Sequence, residues 1–364
     1  MTQSVQLAQY GSQGVALGFK NRIINGAMVI DQRNNGSQYT FGSTGGIYTL
    51  DRWRAYLSQA SKFTVQQNAN SASLPIGFAN YLGVVSTSAY SIVSTDIFSM
   101  QQFIEGYNIA DLGWGTANAK TVTLSFWVQS SLTGTFGGSL QNSDQNRSYP
   151  FIYTISSANT WTQINITVAG DTTGSWLTTN GRGLTVWFGL GVGSTNSGTA
   201  GSWSANVYYS ATGAVSLVGT SGATFYITGV QLEVGSSATG FEYRQYTTEL
   251  QLCQRYYEKS YDIGVAPASN TALGSVTLFC NGTLNGYMAG GRQFSVAKRT
   301  ASTVTIYNCP GTSGRVSDGN TSDYAAGGAN QIGTSAFSLQ NTSGATYSPT
   351  GPLLYFHYTA SAEL

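Results

Sequence analysis

Between Phe19 and Tyr246 the apolar residues keep a period of two, in short runs broken by Gly, Asn and Ser. Val122, Leu124, Phe126 and Val128 alternate with Thr123, Ser125 and Trp127, and Ile164, Ile166 and Val168 alternate with Asn165 and Thr167. Leu184, Val186, Phe188 and Leu190 are set against Thr185, Trp187 and Gly189, and Met100, Gln102 and Ile104 against Gln101, Phe103 and Glu105. A period of two predicts strands with one face in a core. Many short strands between turns predict a β-sandwich or jelly roll, and the lack of a fixed repeat argues against a propeller or a β-helix.

The pattern changes once. Residues 225–234 read as a strand and 235–240 as a small-residue turn, after which the period becomes helical. Thr248 and Gln251 have the spacing of a capping box. Leu252, Cys253, Tyr256 and Tyr257 then share one side, with Gln251, Gln254, Arg255, Glu258 and Lys259 on the other. A lone helix of about ten residues is marginal in water, so the apolar stripe needs a partner: the preceding sandwich, or copies of itself around a symmetry axis. Beyond it, residues 275–279, 293–296, 303–307 and 353–358 read as strands, 281–286 as two Asn-Gly turns, and 310–331 as a long polar loop. The predicted fold is all-β: an N-terminal arm (1–18), a jelly-roll β-sandwich (19–246), a short helical neck (247–259) and a small C-terminal β-sandwich tip (260–364). The polar, Gly-punctuated arm reads as an extended segment rather than a domain, or as a frayed terminus.

Composition narrows the partners. Only 9% of the 364 residues are charged, with 16 basic against 15 acidic, a formal charge of +1. No basic run offers a phosphate track, so nucleic acid is not an expected partner. No apolar run approaches the ~18 residues of a membrane-spanning helix, and residues 1–14 lack the basic-then-apolar pattern of a signal peptide, so no membrane insertion is expected. Aromatics at 13% supply material for a core.

Enzyme constellations are weak. A glycosidase needs two carboxylates across the scissile bond, and the acidic residues are nearly all scattered singly in turns and strand ends. Asp318 and Asp323 form the one close pair of aspartates in the C-terminal region; they read as turn formers, with a Ca²⁺ loop as a second reading that lacks the EF-hand's closing Glu. The single His357 sits on an expected strand and reads as a satisfied structural histidine. Three cysteines with one histidine make no zinc site. Cys253 reads as a small hydrophobe, and Cys280 and Cys309 are left either paired or free. Gly189–Gly193 has glycine spacing but no following helix, so no dinucleotide site is expected. No cofactor, no metal and no catalytic residue are expected.

Aromatic rings and amides are the more promising chemistry. Sugars present apolar C–H faces and many hydroxyls, which suit flat rings beside Asn, Gln and Arg. The chain has seven Trp and twenty-three Tyr. Trp127, Trp161 and Trp187 read as core, and Trp114, Trp176 and Trp203 as exposed loop residues. In the C-terminal region, Tyr287, Arg292, Tyr324 and Tyr347 are the candidate sugar contacts, Arg292 because its planar fork binds hydroxyls or anions.

Three long blocks carry a family resemblance: KNRIINGAMVIDQRNNG (20–36), FIEGYNIADLGWGTANAKTVTLSFWVQSS (103–131) and YITGVQLEVGSSATGFEYRQYTTELQLCQRYY (226–257). Together they resemble the jelly-roll module of bacteriophage tail-fibre receptor-binding proteins, over roughly residues 19–260; beyond that the likeness is loose, mainly in LLYFHYTASAEL. The resemblance implies a virion fibre, assembled in the host cytoplasm, that recognises a host cell-surface glycan without catalysis. It also implies a homotrimer, with Leu252, Cys253, Tyr256 and Tyr257 as the trimer neck, and attachment to other virion structural proteins through the arm. Two other readings stand beside it: a structural head-fibre or decoration protein, and a polysaccharide depolymerase tailspike.

Overall fold

The computed structural model describes residues 19–71, 73–279, 287–318, 322–341 and 353–364. The arm at 1–18, Cys280, the Asn-Gly turns at 281–286 and Tyr347 lie outside the described residues. The chain is nearly all β, as its period of two predicts. One antiparallel sheet has the spatial order Tyr39–Thr40, Phe63–Gln67, Leu82–Ser86, Thr224–Val234, Val122–Ser130, Thr162–Val168. A second runs Gly45–Tyr48, Arg54–Leu57, Ile97–Glu105, Arg182–Val192, Gly134–Asn142, Ser148–Ile155. The two form a jelly-roll sandwich. Alternate residues of both meet in one core, where Phe188 packs edge-on against Phe126 at 5.1 Å among Trp53, Phe98, Met100, Phe136 and Phe225.

A C-terminal sheet is built around Leu353–Ser361, which pairs with Tyr257–Lys259, Val276–Phe279, Thr303–Tyr307 and Arg315–Asp318. Its own core gathers Phe294, Ile306, Val316, Phe337, Leu339, Leu354, Phe356 and Tyr358. The expected loop at 310–331 is instead a hairpin of Arg315–Asp318 with Ser322–Asn330. Its Gly, Ala and Ser residues have low strand propensity, and pairing with Leu353–Ser361 and Ala336–Asn341 overrides it. The expected strand at 293–296 lies mostly beyond the observed Tyr287–Gln293.

The helix spans Tyr246–Gln254, so Thr248 lies inside it and the N-cap is Gln245, without a side-chain cap. The capping box therefore does not form. Glu249 does the work at this end: its carboxylate accepts from the Asn25 N–H and faces Arg244 at 3.4 Å. Tyr256 and Tyr257 fall past the helix, and Tyr257 opens the edge strand of the C-terminal sheet. The partner that the stripe needs comes from this same chain. Cys253 and Tyr256 are buried against Ile24 and Ile30, with Leu252, Val29 and Leu364 at the margin.

Charge closes the joint. Glu363 pairs with Arg33 at 2.7 Å and with the fully buried Arg52. Arg52 lies over the Tyr256 ring at 3.6 Å and Arg33 over Tyr257 at 3.8 Å. Arg255 makes two bonds to the buried Glu105, at 2.9 and 2.5 Å, and the Tyr256 hydroxyl donates to the same carboxylate. Breaking one side of a buried pair leaves an uncompensated charge and costs about 3–5 kcal/mol. Glu363→Gln is expected to lower the unfolding midpoint by several degrees, and Arg52→Met added to it to cost less than the two changes singly. A Glu363→Gln chain melting with the parent would show that this pair does not hold the joint.

Candidate functional site

The outer face of the second sheet, turned away from the core, carries a cavity of about 450 Å³. Register explains its lining. Arg54 stands opposite Gln101, Gln101 opposite Trp187, and Trp187 opposite Ser139, one row across four strands. The flanking rows are Phe103–Thr185–Gln141 and Tyr56–Ser99–Gly189. The alternation that sends Met100, Val186 and Phe188 into the core sends these residues outward.

Two close approaches shape the groove. A Cβ on Gly189 would stand 2.7 Å from the Ser210 hydroxyl, so glycine lets residues 209–211 lie against the sheet. That segment brings Tyr209 edge-on to Trp187 at 4.7 Å. A Cβ on Gly46 would occupy the space of the Arg54 guanidinium, which lies flat over the bare backbone there. Arg54 also stands 5.3 Å from the Phe103 ring centre, and Arg182 5.1 Å from the same ring. Ile97, Gln145 and Leu364 complete the rim, and the Tyr48 hydroxyl donates to the Leu364 carbonyl at 2.9 Å.

The sheet face beneath the lining is polar and under-satisfied. Gln101 and Gln141 are fully buried with both amide atoms unpartnered by protein groups, as are the Thr185 hydroxyl, the Ser99 hydroxyl and the Trp187 indole N–H. Each such group costs about 1–3 kcal/mol unless something pairs with it. Their concentration on one face, under aromatic rings, marks a surface suited to a polar ligand with flat apolar faces.

The sequence placed the tryptophans the wrong way round. Trp187 is buried beneath the groove on the outer face, and Trp127 also stands outside the core. Trp161 packs on Tyr81 in a satellite cluster. Trp114 and Trp176 are core residues, meeting each other at 4.7 Å and the half-buried Trp203 at 5.3 and 5.5 Å. Their Gly and Ser neighbours suggested exposed loops, but the loops fold back over the sandwich end.

Among the expected receptor contacts, Arg292 is exposed on Tyr287–Gln293, opposite Phe337, and lines none of the three cavities described. Tyr287 and Tyr324 lie on strands whose side chains there fall outside the description, and Tyr347 lies outside it altogether. Asp323 accepts from Asn308 at 2.9 Å and pairs with Arg315, and Asp318 closes the hairpin opposite Ser322. Cys253 and Cys309 are buried thiols, both with pKa raised by burial. Among the described residues no group of three or more His, Cys, Asp and Glu is placed to hold a metal, and no helix is long and apolar enough to cross a membrane.

No family model matches this chain, and no curated protein does. Solved structures similar to it include the enzymatically active domain of tailspike protein 4 of bacteriophage CBA120, at 12% identity and a TM-score of 0.34 over 59% of this chain. The aligned part spans 22% of that tailspike chain. TmCBM61 in complex with β-1,4-galactotriose aligns at 10% identity and TM-score 0.30, over 60% of this chain and all of that one. The family 11 carbohydrate-binding module of Clostridium thermocellum Lic26A-Cel5E aligns at 12% identity and TM-score 0.26, over 54% of this chain and 99% of the module.

His357 is wholly buried, with Nδ1 3.0 Å from the Ser260 hydroxyl, Nε2 3.1 Å from the Thr271 carbonyl and its ring stacked on Tyr261 at 3.8 Å. Burial pushes its pKa below 6.5. The folded chain therefore favours the neutral ring: its stabilising contribution is complete above pH 6.5 and is lost as the pH falls through the folded value. As the sole histidine, it should give one imidazole signal by NMR, titrating below 6.5; a titration at or above 6.5 would contradict this burial.

Proposed function

We propose that this chain is a glycan-binding fibre protein of a bacteriophage virion, which recognises a host cell surface without catalysis and acts as a homotrimer. The observation that carries the reading is the groove on the second sheet. Trp187, Tyr209, Tyr56 and Phe103 offer ring faces and edges to sugar C–H groups, and Gln145 brings an amide to the rim, above the buried amides of Gln101 and Gln141 on the same sheet face. The blocks at 20–36, 103–131 and 226–257 support a place among tail-fibre proteins, with the arm at 1–18 joining the fibre to other virion proteins. Three copies of a weak site would raise binding to a cell surface by roughly two to four decades where the geometry lets them engage together.

The proposal locates recognition on the jelly roll, on strands that also build the core. Tyr56→Ala and Tyr209→Ala in the full chain are expected to lower binding to host cells and to a glycan array at least tenfold, with unfolding midpoints close to the parent's. The parent incubated with host polysaccharide is expected to leave its chain length unchanged. Parent-like binding by both variants, together with loss in Arg292→Ala, would move recognition to the C-terminal sheet. Shortened polysaccharide would overturn the non-catalytic reading.

A further inference from the structure

The arginines of this protein differ in what holds them. Arg22, Arg33, Arg52, Arg147, Arg244 and Arg255 each pair with a carboxylate. Arg54 and Arg182, the two that line the groove, are in none of the ion pairs among the described residues. Both are half-buried and both lean on the Phe103 ring. Arg182 donates to the Ser143 carbonyl at 2.7 Å, and the acid acting on it, Asp144, is exposed. No hydrogen bond from the Arg54 guanidinium is found among the described residues; it rests on Gly46 with its donors unspent.

Holding two like charges near one ring, partly out of water and with neither in an ion pair, is unfavourable. Burial lowers the pKa of both guanidiniums, and the charge of Arg182 lowers that of Arg54 further. A chain with so few charges, which neutralises Arg33, Arg52, Arg147, Arg244 and Arg255 and gives the half-buried Arg299 three backbone carbonyls, keeps these two open on the face where amides are also unpartnered. We infer that the groove takes a sugar residue carrying an anionic group, a carboxylate or a sulfate, held between Arg54 and Arg182 while the ring lies against Trp187 and Tyr209. The fork of an arginine matches either anion with two parallel N–H bonds, and half-burial shields the contact from salt. The inference rests on the glycan reading of the groove and adds the charge of the ligand.

The test uses the full chain on an array of bacterial surface oligosaccharides. Each uronate- or sialate-bearing member is printed beside its carboxyl-reduced form, and each sulfated member beside its desulfated form. The acidic member of a pair is expected to bind about tenfold or more tightly, and the kind of pair that shows this identifies the anion. Arg54→Gln and Arg182→Gln should each erase the preference, so that the two members of a pair bind alike, with the unfolding midpoint close to the parent's, and Arg54→Lys should restore part of it. Equal binding within every pair, or a preference that survives both substitutions, would overturn the inference and leave the glycan reading intact. Absence of binding to every member, or binding indifferent to Tyr56→Ala and Tyr209→Ala, would overturn both.

Discussion

The carboxylate of Glu363, caught between Arg33 and Arg52, is the contact on which the arrangement of this molecule depends. It joins three distant parts of the chain. Arg33 and Arg52 belong to the Asn-rich opening of the sandwich, the tyrosines beneath their guanidiniums follow the helix, and Glu363 follows the last strand of the C-terminal sheet. Buried charge is costly to desolvate, so such a cluster contributes less net stability than a hydrophobic one of the same size. What it adds is a demand for geometry, since a docking that separated Glu363 from either arginine would leave a buried charge unpaired. Arg52 accepts left-handed backbone, with φ at 69°, to reach the position. The same contact sets Leu364 at the rim of the groove and beside Tyr48, so the candidate site is completed by the joint.

Much of this architecture is legible in the sequence because a period of two is a direct record of which face is wet. Strands at 122–128, 184–190 and 303–307 could be read residue by residue. The joint was legible as a change of period, but not its partner: Cys253 and Tyr256 pack on Ile24 and Ile30, more than two hundred residues earlier, and no local pattern encodes that distance. The hairpin at Arg315–Asp318 and Ser322–Asn330 was hidden for the opposite reason, since its small residues carry almost no pattern of their own.

The groove was half legible. The alternation that put Leu184, Val186 and Phe188 on one face put Thr185 and Trp187 on the other, and did the same for Gln101 and Phe103 against Met100 and Ile104. Followed consistently, it would have placed Trp187 outside the core, in the company of buried amides. A general expectation that tryptophan fills cores prevailed instead. What no pattern could supply is the pairing of strands that sets Arg54 beside Gln101, and the way residues 209–211 descend onto Gly189. Charge pairing was equally out of reach: that Arg54 and Arg182 lack the carboxylates that Arg52 and Arg147 have is a fact of three dimensions.

The dependence of the sandwich on Glu363 bears on how such genes can be shuffled. A C-terminal sheet brought in by recombination would dock on this sandwich only if it carried an acid at the position of Glu363, opposite Arg33 and Arg52. One that carried a neutral residue there would inherit two stranded guanidiniums and, through Leu364, an altered groove rim. Exchange at the junction near residue 257 would thereby favour donors that preserve this acid, which ties the codons of Arg33 and Arg52 to that of Glu363 although they lie more than three hundred codons apart.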